Sequence, residues 1–142
     1  MGYERAMKRA GLPVSEALMI EKGFSQTDGY ECGQYLLSLP ERPTAICCAN
    51  DLVAFGVLGA ASAAGLSVPG DVSVTGMDDI PFSSVSLPKL TTITNDSTEF
   101  AQYAHEMLFD RISGRYTGQP REVEIERELV ARDSTCAPKS GR

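Results

Sequence analysis

"TAICCANDLVAFGVLGAASAAGLSVPGDVSVTGMDD", residues Thr44–Asp79, decides the fold. Ala45–Ala49 is an unbroken apolar run, as expected of a parallel strand covered on both faces. Asn50 and Asp51 then open a stretch rich in alanine and leucine, which favours helix, and Gly65 ends it. "VPGD" supplies a turn, and Val72–Met77 reads as a second strand. Strand, helix and strand over 44–77 make a βαβ unit with a right-handed crossover. The expected class is α/β, a parallel sheet flanked by helices.

Open parallel sheets bind ligands outside the carboxyl ends of their strands. Asn50 ends one strand and Asp78 the next, so both are expected on one rim. An asparagine amide offers donors and an acceptor, whereas an ionised aspartate only accepts. Such a pair matches a small molecule rich in hydroxyls: a sugar, a polyol or a nucleoside. A hydroxyl donating to Asp78 makes a charge-assisted bond worth roughly 1.5–3 kcal/mol. Phe24, in the "KGFSQ" loop, is placed to stack on the apolar face of a sugar ring. Each residue also has a purely structural role open to it. Asn50 or Asp51 can cap the helix, and an Asp51 cap would free Asn50 for ligand. Asp78 and Asp79 point to opposite faces, so one can hold ligand while the other satisfies the loop. Phe24 can plug the edge of the core.

Working outward, Tyr3, Ala6, Met7 and Ala10 recur at helical spacing until Gly11. Ala17–Gly23 reads as a short strand. Ser25, with Asp28 three residues on, is a capping signal for a helix whose Tyr30, Gly33 and Leu37 share a face, although Gly29 and Gly33 weaken it. After a loop marked by Pro81 and Pro88, "LTTIT" reads as a strand. Asp96 and Glu99 have capping-box spacing ahead of a helix that Gly114 ends, with a stripe of Phe100, Ala104, Met107, Leu108 and Arg111. His105, beside that stripe, is expected half-buried and hydrogen-bonded. Val123–Ile125 alternates as a strand does, and the pattern resumes at Leu129 and Val130. "APKSGR" reads as a loose tail.

The totals exclude several classes. With 142 residues, 42% hydrophobic content and net charge −6, the chain suits one folded unit and carries no cationic footprint for nucleic acid. Its four cysteines, Cys32, Cys47, Cys48 and Cys136, have no CxxC spacing and favour a reducing, cytoplasmic setting. No apolar run is long enough to span a membrane, and no membrane partner is expected. With one histidine, no nucleophile elbow and no phosphate-binding glycine motif, the chain reads as a binder with no catalytic residue, metal or cofactor.

Beyond these patterns, "RPTAICCANDLVAFGVLGAASAAGLSVPGDVSVTGMDDIPFSSVSLPKLTTI" resembles the effector-binding core of the lactose/galactose repressor family of transcriptional regulators. "GYERAMKRAGL", "EFAQYAHEMLFDRISG" and "ELVARDST" resemble further pieces of it. The resemblance implies a partial periplasmic-binding-protein-like type I fold, in which two α/β subdomains enclose a small-molecule cleft. By position, Asn50 and Asp78 fall on the family's effector-binding asparagine and aspartate. Phe24 falls where many members place an aromatic beside the ligand. Residues 1–93 would then form the C-terminal subdomain without its first, central strand. Residues 94–128 would pack in the N-terminal subdomain, and 129–142 would be the last strand and tail. The expected partners are a carbohydrate effector, a second copy through the Leu52–Ala63 helix and the Pro81–Pro88 loop, and operator DNA only through a helix-turn-helix head missing here. Gly56, Gly59, Ala60 and Ala63 would permit close approach of another surface, or simple packing on the sheet. A ligand-gripping arginine of the family would lie three residues before Gly2. The short chain is therefore expected to be a truncated product, a mis-called start or a partial chain. The alternative is a sugar-binding protein of a transport system.

Overall fold

A computed structural model describes residues 2–95 and 97–139. Its centre is the βαβ unit. Strand β1 (Ala45–Cys47) leads into helix α3 (Asp51–Ala63), which returns to β2 (Ser73–Thr75). Two helices come earlier, α1 (Gly2–Arg9) and α2 (Gln26–Ser38), and β3 (Thr92–Ile93), α4 (Ser97–Ile112) and β4 (Leu129–Val130) follow. The strands β1 and β2 run parallel, with Ala45 opposite Ser73 and Cys47 opposite Thr75. Single parallel bridges, Thr75 to Thr91 and Asp78 to Thr94, carry the pairing from β2 to the β3 segment. An antiparallel ladder then joins β3 to β4.

The core lies where α2 and α3 meet this sheet. Ile46, Val74, Phe55, Val57, Leu36 and Leu37 are buried there, with Leu90 beneath them. A Cβ on Gly29 would stand 2.1 Å from the Val53 carbonyl oxygen, and one on Gly56 would stand 2.1 Å from that of Gln26. Gly29, expected to weaken α2, and Gly56 on α3 are thus what lets the two helices touch. Helix α3 ends as expected, with Gly65 in the left-handed conformation at φ +70°. The stripe of small residues on α3 is used largely within the chain: Gly56 and Ala60 pack on α2, while Gly59 and Ala63 are exposed.

Four expectations need correction. Strand β1 is covered on one face only, because Ala45 and Cys47 are exposed while Ile46 is buried. Ala17–Gly23 forms no strand; Glu16–Leu18 is a 3₁₀ turn, and the rest makes no ladder with a neighbour. Val123–Ile125 likewise has no strand alongside, and alternation without a pairing edge makes no ladder. His105 is exposed, its ring 4.4 Å from that of Phe109, because α4 buries none of its residues. Asp96, the expected cap of α4, lies outside the described residues.

The stretch after β4 is stitched down. The Val74 amide donates to the Ser134 carbonyl at 2.9 Å, and the buried Ser134 hydroxyl donates back to the Val74 carbonyl at 2.6 Å. Two residues on, the Cys136 amide donates to Ser73 Oγ, and Lys139 pairs with Asp71.

Candidate functional site

The carboxyl ends of β1 and β2 meet at one rim, because parallel strands end together. The Cys48 amide donates to the Thr75 carbonyl, and the Asp51 amide donates to that of Met77 at 2.8 Å. Asn50 and Asp78 therefore stand on adjacent strand ends. Phe24 joins them, since α2 and α3 begin side by side. The Asn50 amide nitrogen donates to the Phe24 carbonyl at 3.1 Å. The Phe24 ring does not plug the core edge, for the residue is 69% exposed.

Asn50 is also the cap of α3: its Oδ1 accepts from the Val53 amide at 2.8 Å. The amide group still has one Nδ2 hydrogen to offer, since Nδ2 carries two. Asp51 does not cap. It is wholly buried, and its carboxylate collects three donors: the Thr92 hydroxyl at 2.6 Å on Oδ1, and the Ser83 hydroxyl at 2.6 Å and Ile80 amide at 3.0 Å on Oδ2. A buried carboxylate is costly unless satisfied in this way.

Asp78 and Asp79 take different partners. Asp78 Oδ1 accepts from the Asn95 side chain at 3.0 Å, and its amide donates to the Ile93 carbonyl. Asp79 pairs with Arg132 at 2.6 Å. That arginine also donates to the Leu90 carbonyl, so it ties the rim to the segment after β4. Both aspartates have positive φ, 114° and 50°, a conformation that costs a non-glycine residue about 1–3 kcal/mol. Surrounding hydrogen bonds hold this strain where the rim turns. An ionised Asp78 retains acceptor capacity beyond the Asn95 contact.

Below Phe24, Ser25 and Asp28 close the expected capping box on α2. The Ser25 hydroxyl, and then its amide, hold the Asp28 carboxyl below its usual range. Near the base of the rim, burial pushes the Cys48 thiol up to about 12, with smaller contributions from Cys47, Cys32 and Asp51. Among the described residues, no cluster of three or more histidine, cysteine or acidic side chains could hold a metal ion.

Sequence reasoning missed three residues here: Asp51 as a buried acceptor, Asn95 and Arg132. For Asn95 a signal existed, because it follows a strand parallel to β2 and the rule applied to Asn50 and Asp78 reaches it too. For Asp51 there was none, since a buried acid and an exposed cap look alike in a helix-start pattern.

The periplasmic binding protein-like domain family matches residues 1–135. The chain belongs to that family. Within this periplasmic-binding-protein-like family, its relatives are regulators. It is 38% identical over 135 residues to the HTH-type transcriptional repressor PurR of Haemophilus influenzae, covering 94% of this chain and 40% of the relative. It is 40% identical over 134 residues to PurR of Histophilus somni, with the same coverage. Among solved structures, a LacI-type transcription regulator from Bifidobacterium animalis superposes with a TM-score of 0.86 at 33% identity, over 96% of this chain and 49% of that one. The transcriptional regulator CelR in complex with cellobiose superposes with a TM-score of 0.87 at 30% identity, over 94% of this chain and 40% of that one. The periplasmic-binding-protein-like stretch seen here is thus of the LacI/GalR effector-binding type, and it spans about 40% of the curated relatives it matches. These relatives are named as a transcriptional repressor and a transcription regulator, in keeping with the expectation of a binder. No helix among the described residues is long and apolar enough to cross a membrane.

Proposed function

We propose that this chain supplies one wall of a sugar-responsive effector site in a cytoplasmic, DNA-binding regulator. The observation that carries the proposal is the convergence of Phe24, Asn50 and Asp78 on one rim, with Asn50 and Phe24 directly hydrogen-bonded. The aromatic ring covers the apolar face of a pyranose or furanose, Asn50 donates to a ring hydroxyl, and Asp78 accepts from one or two others. Asn95 steers the Asp78 carboxylate from beside it. The solved complex of CelR with cellobiose supports a saccharide as the ligand class.

The other parts of the reading follow from the relatives. Contact with operator DNA belongs to a head of the kind that "HTH-type" names in them, in keeping with this chain's net charge of −6. In such a regulator, 1–93 form this subdomain and the helix within 94–128 packs in the opposite one, whereas Thr94, Asn95 and Glu128 stay with the rim here. Self-association uses Leu52, Phe82, Val85 and Leu87, all large apolar side chains at least 47% exposed. A groove of about 390 Å³ between Leu58, Leu66, Val68 and Pro88 adjoins Leu87.

Calorimetry with cellobiose and a panel of mono- and disaccharides tests the site, using a full-length protein that carries this stretch. Asp78→Asn weakens the affinity at least tenfold, about 1.4 kcal/mol, and leaves the unfolding midpoint near that of the parent. An unchanged affinity for the saccharide that the parent binds rules out Asp78 as a ligand residue.

A further inference from the structure

We propose that Asp51 is the positioning residue of the rim, setting Asn50 and Asp78 in register without touching the ligand. The proposal rests on the reading of that rim as the effector site. Three observations lead to it. First, Asp51 is the chain neighbour of Asn50, and its own amide is bonded to Met77, the chain neighbour of Asp78. Second, its carboxylate grips both sides of Asp78: the Ile80 amide two residues on, and Thr92, which adjoins the Ile93 carbonyl that accepts from the Asp78 amide. Third, it has no room to do otherwise. It is fully buried, and a Cβ on Gly76 would stand 2.2 Å from its Oδ1.

The work done at this point is mechanical. Asp78 and Asp79 sit at positive φ, and such a turn relaxes unless its flanks are pinned. Asp51 pins the flank toward Ser83 with one oxygen and the flank toward β3 with the other. An acid of this length is the smallest side chain that accepts on both oxygens from a helix start. Gly76 completes the arrangement by leaving the volume that the carboxylate occupies. The buried Ser83 hydroxyl spends its hydrogen on this carboxylate, so the 3₁₀ turn Pro81–Ser84 is held to the same anchor.

Amide hydrogen exchange by NMR on the 142-residue chain, with no ligand present, tests the anchor. The variants are Asp51→Ala, Asp51→Asn, Ser83→Ala and Thr92→Val. In Asp51→Ala, the Asp78 and Ile80 amides are expected to exchange at least tenfold faster, while the core amides of Val57 and Val74 keep their protection. Asp51→Asn retains an acceptor for Ile80 and restores most of the protection there. Ser83→Ala and Thr92→Val each loosen their own flank, and they carry the test if Asp51→Ala does not fold. Equal acceleration of core and rim amides would reduce Asp51 to a general contributor to stability and overturn the proposal, as would unchanged rim amides in all four variants. Cellobiose titration of a full-length protein that carries this stretch separates this question from the effector reading. If the rim amides of the 142-residue chain respond as stated and no saccharide binds that full-length parent, the effector reading fails and the anchor stands.

Discussion

Helices α2 and α3 share one fate, and α1 and α4 another. Between them, α2 and α3 bury Gly29, Gly33, Leu36, Leu37 and a continuous face from Ala54 to Ala61. Helices α1 and α4 bury nothing, although α4 is the longest helix described and carries Phe100, Leu108 and Ile112 at 58%, 57% and 70% exposure. All four have apolar residues at helical spacing. The difference teaches that a stripe announces a face to be covered but does not say what covers it. In the first pair the cover is in the chain; in the second it is not among the described residues.

The sharpest way to break the comparison is to part the first pair. Gly56→Ala sets a methyl against the Gln26 carbonyl and is expected to cost about 3 kcal/mol, or to abolish cooperative unfolding, in a urea titration followed by circular dichroism. A milder cut is Ser25→Ala, which removes the α2 cap and costs about 1 kcal/mol. Its pH dependence has a definite sign. The Asp28 carboxyl is lowered in the folded chain, so the capping box contributes above the ordinary carboxylate value near ~4 and is lost as pH falls through the lowered value. The deficit of Ser25→Ala, measured against the parent, is therefore expected to be full at neutral pH and to shrink on acidification. In the second pair, Leu108→Ser is expected to shift the urea midpoint by less than about 0.5 kcal/mol equivalent, because no packing is lost. A loss above 2 kcal/mol there would mean that α4 is covered after all. The smallest effect is chemical. At pH 8, iodoacetamide is expected to label the exposed Cys47 and Cys136 and to spare Cys48, whose thiol stays protonated, as peptide mass spectrometry would show.

Much of the centre was legible in the residues because its partners are close in the chain. The βαβ unit, the Ser25 capping box and the Gly65 stop depend on spacings that a single stretch displays. The common rim was legible for a related reason: two parallel strands that pair must end on the same side. What escaped was long-range. Whether Ala17–Gly23 or Val123–Ile125 becomes a strand depends on an edge elsewhere, and neither finds one. The exposure of Ala45 and Cys47 depends on what lies across the sheet, which an apolar run does not disclose. Asn50 had two roles open, and the structure shows it serving as cap while keeping a hydrogen free, an outcome that spacing could not choose.

The backbone contact between Gly29 and Val53, and between Gly56 and Gln26, reaches beyond packing. At those two points no side chain separates the main chains of the two helices, so a slide or roll there brings backbone against backbone. Phe24 and Asn50 each sit just ahead of one of them. In the proposed site, an aromatic and an amide from distant parts of the chain are thus set side by side by the packing of two helices.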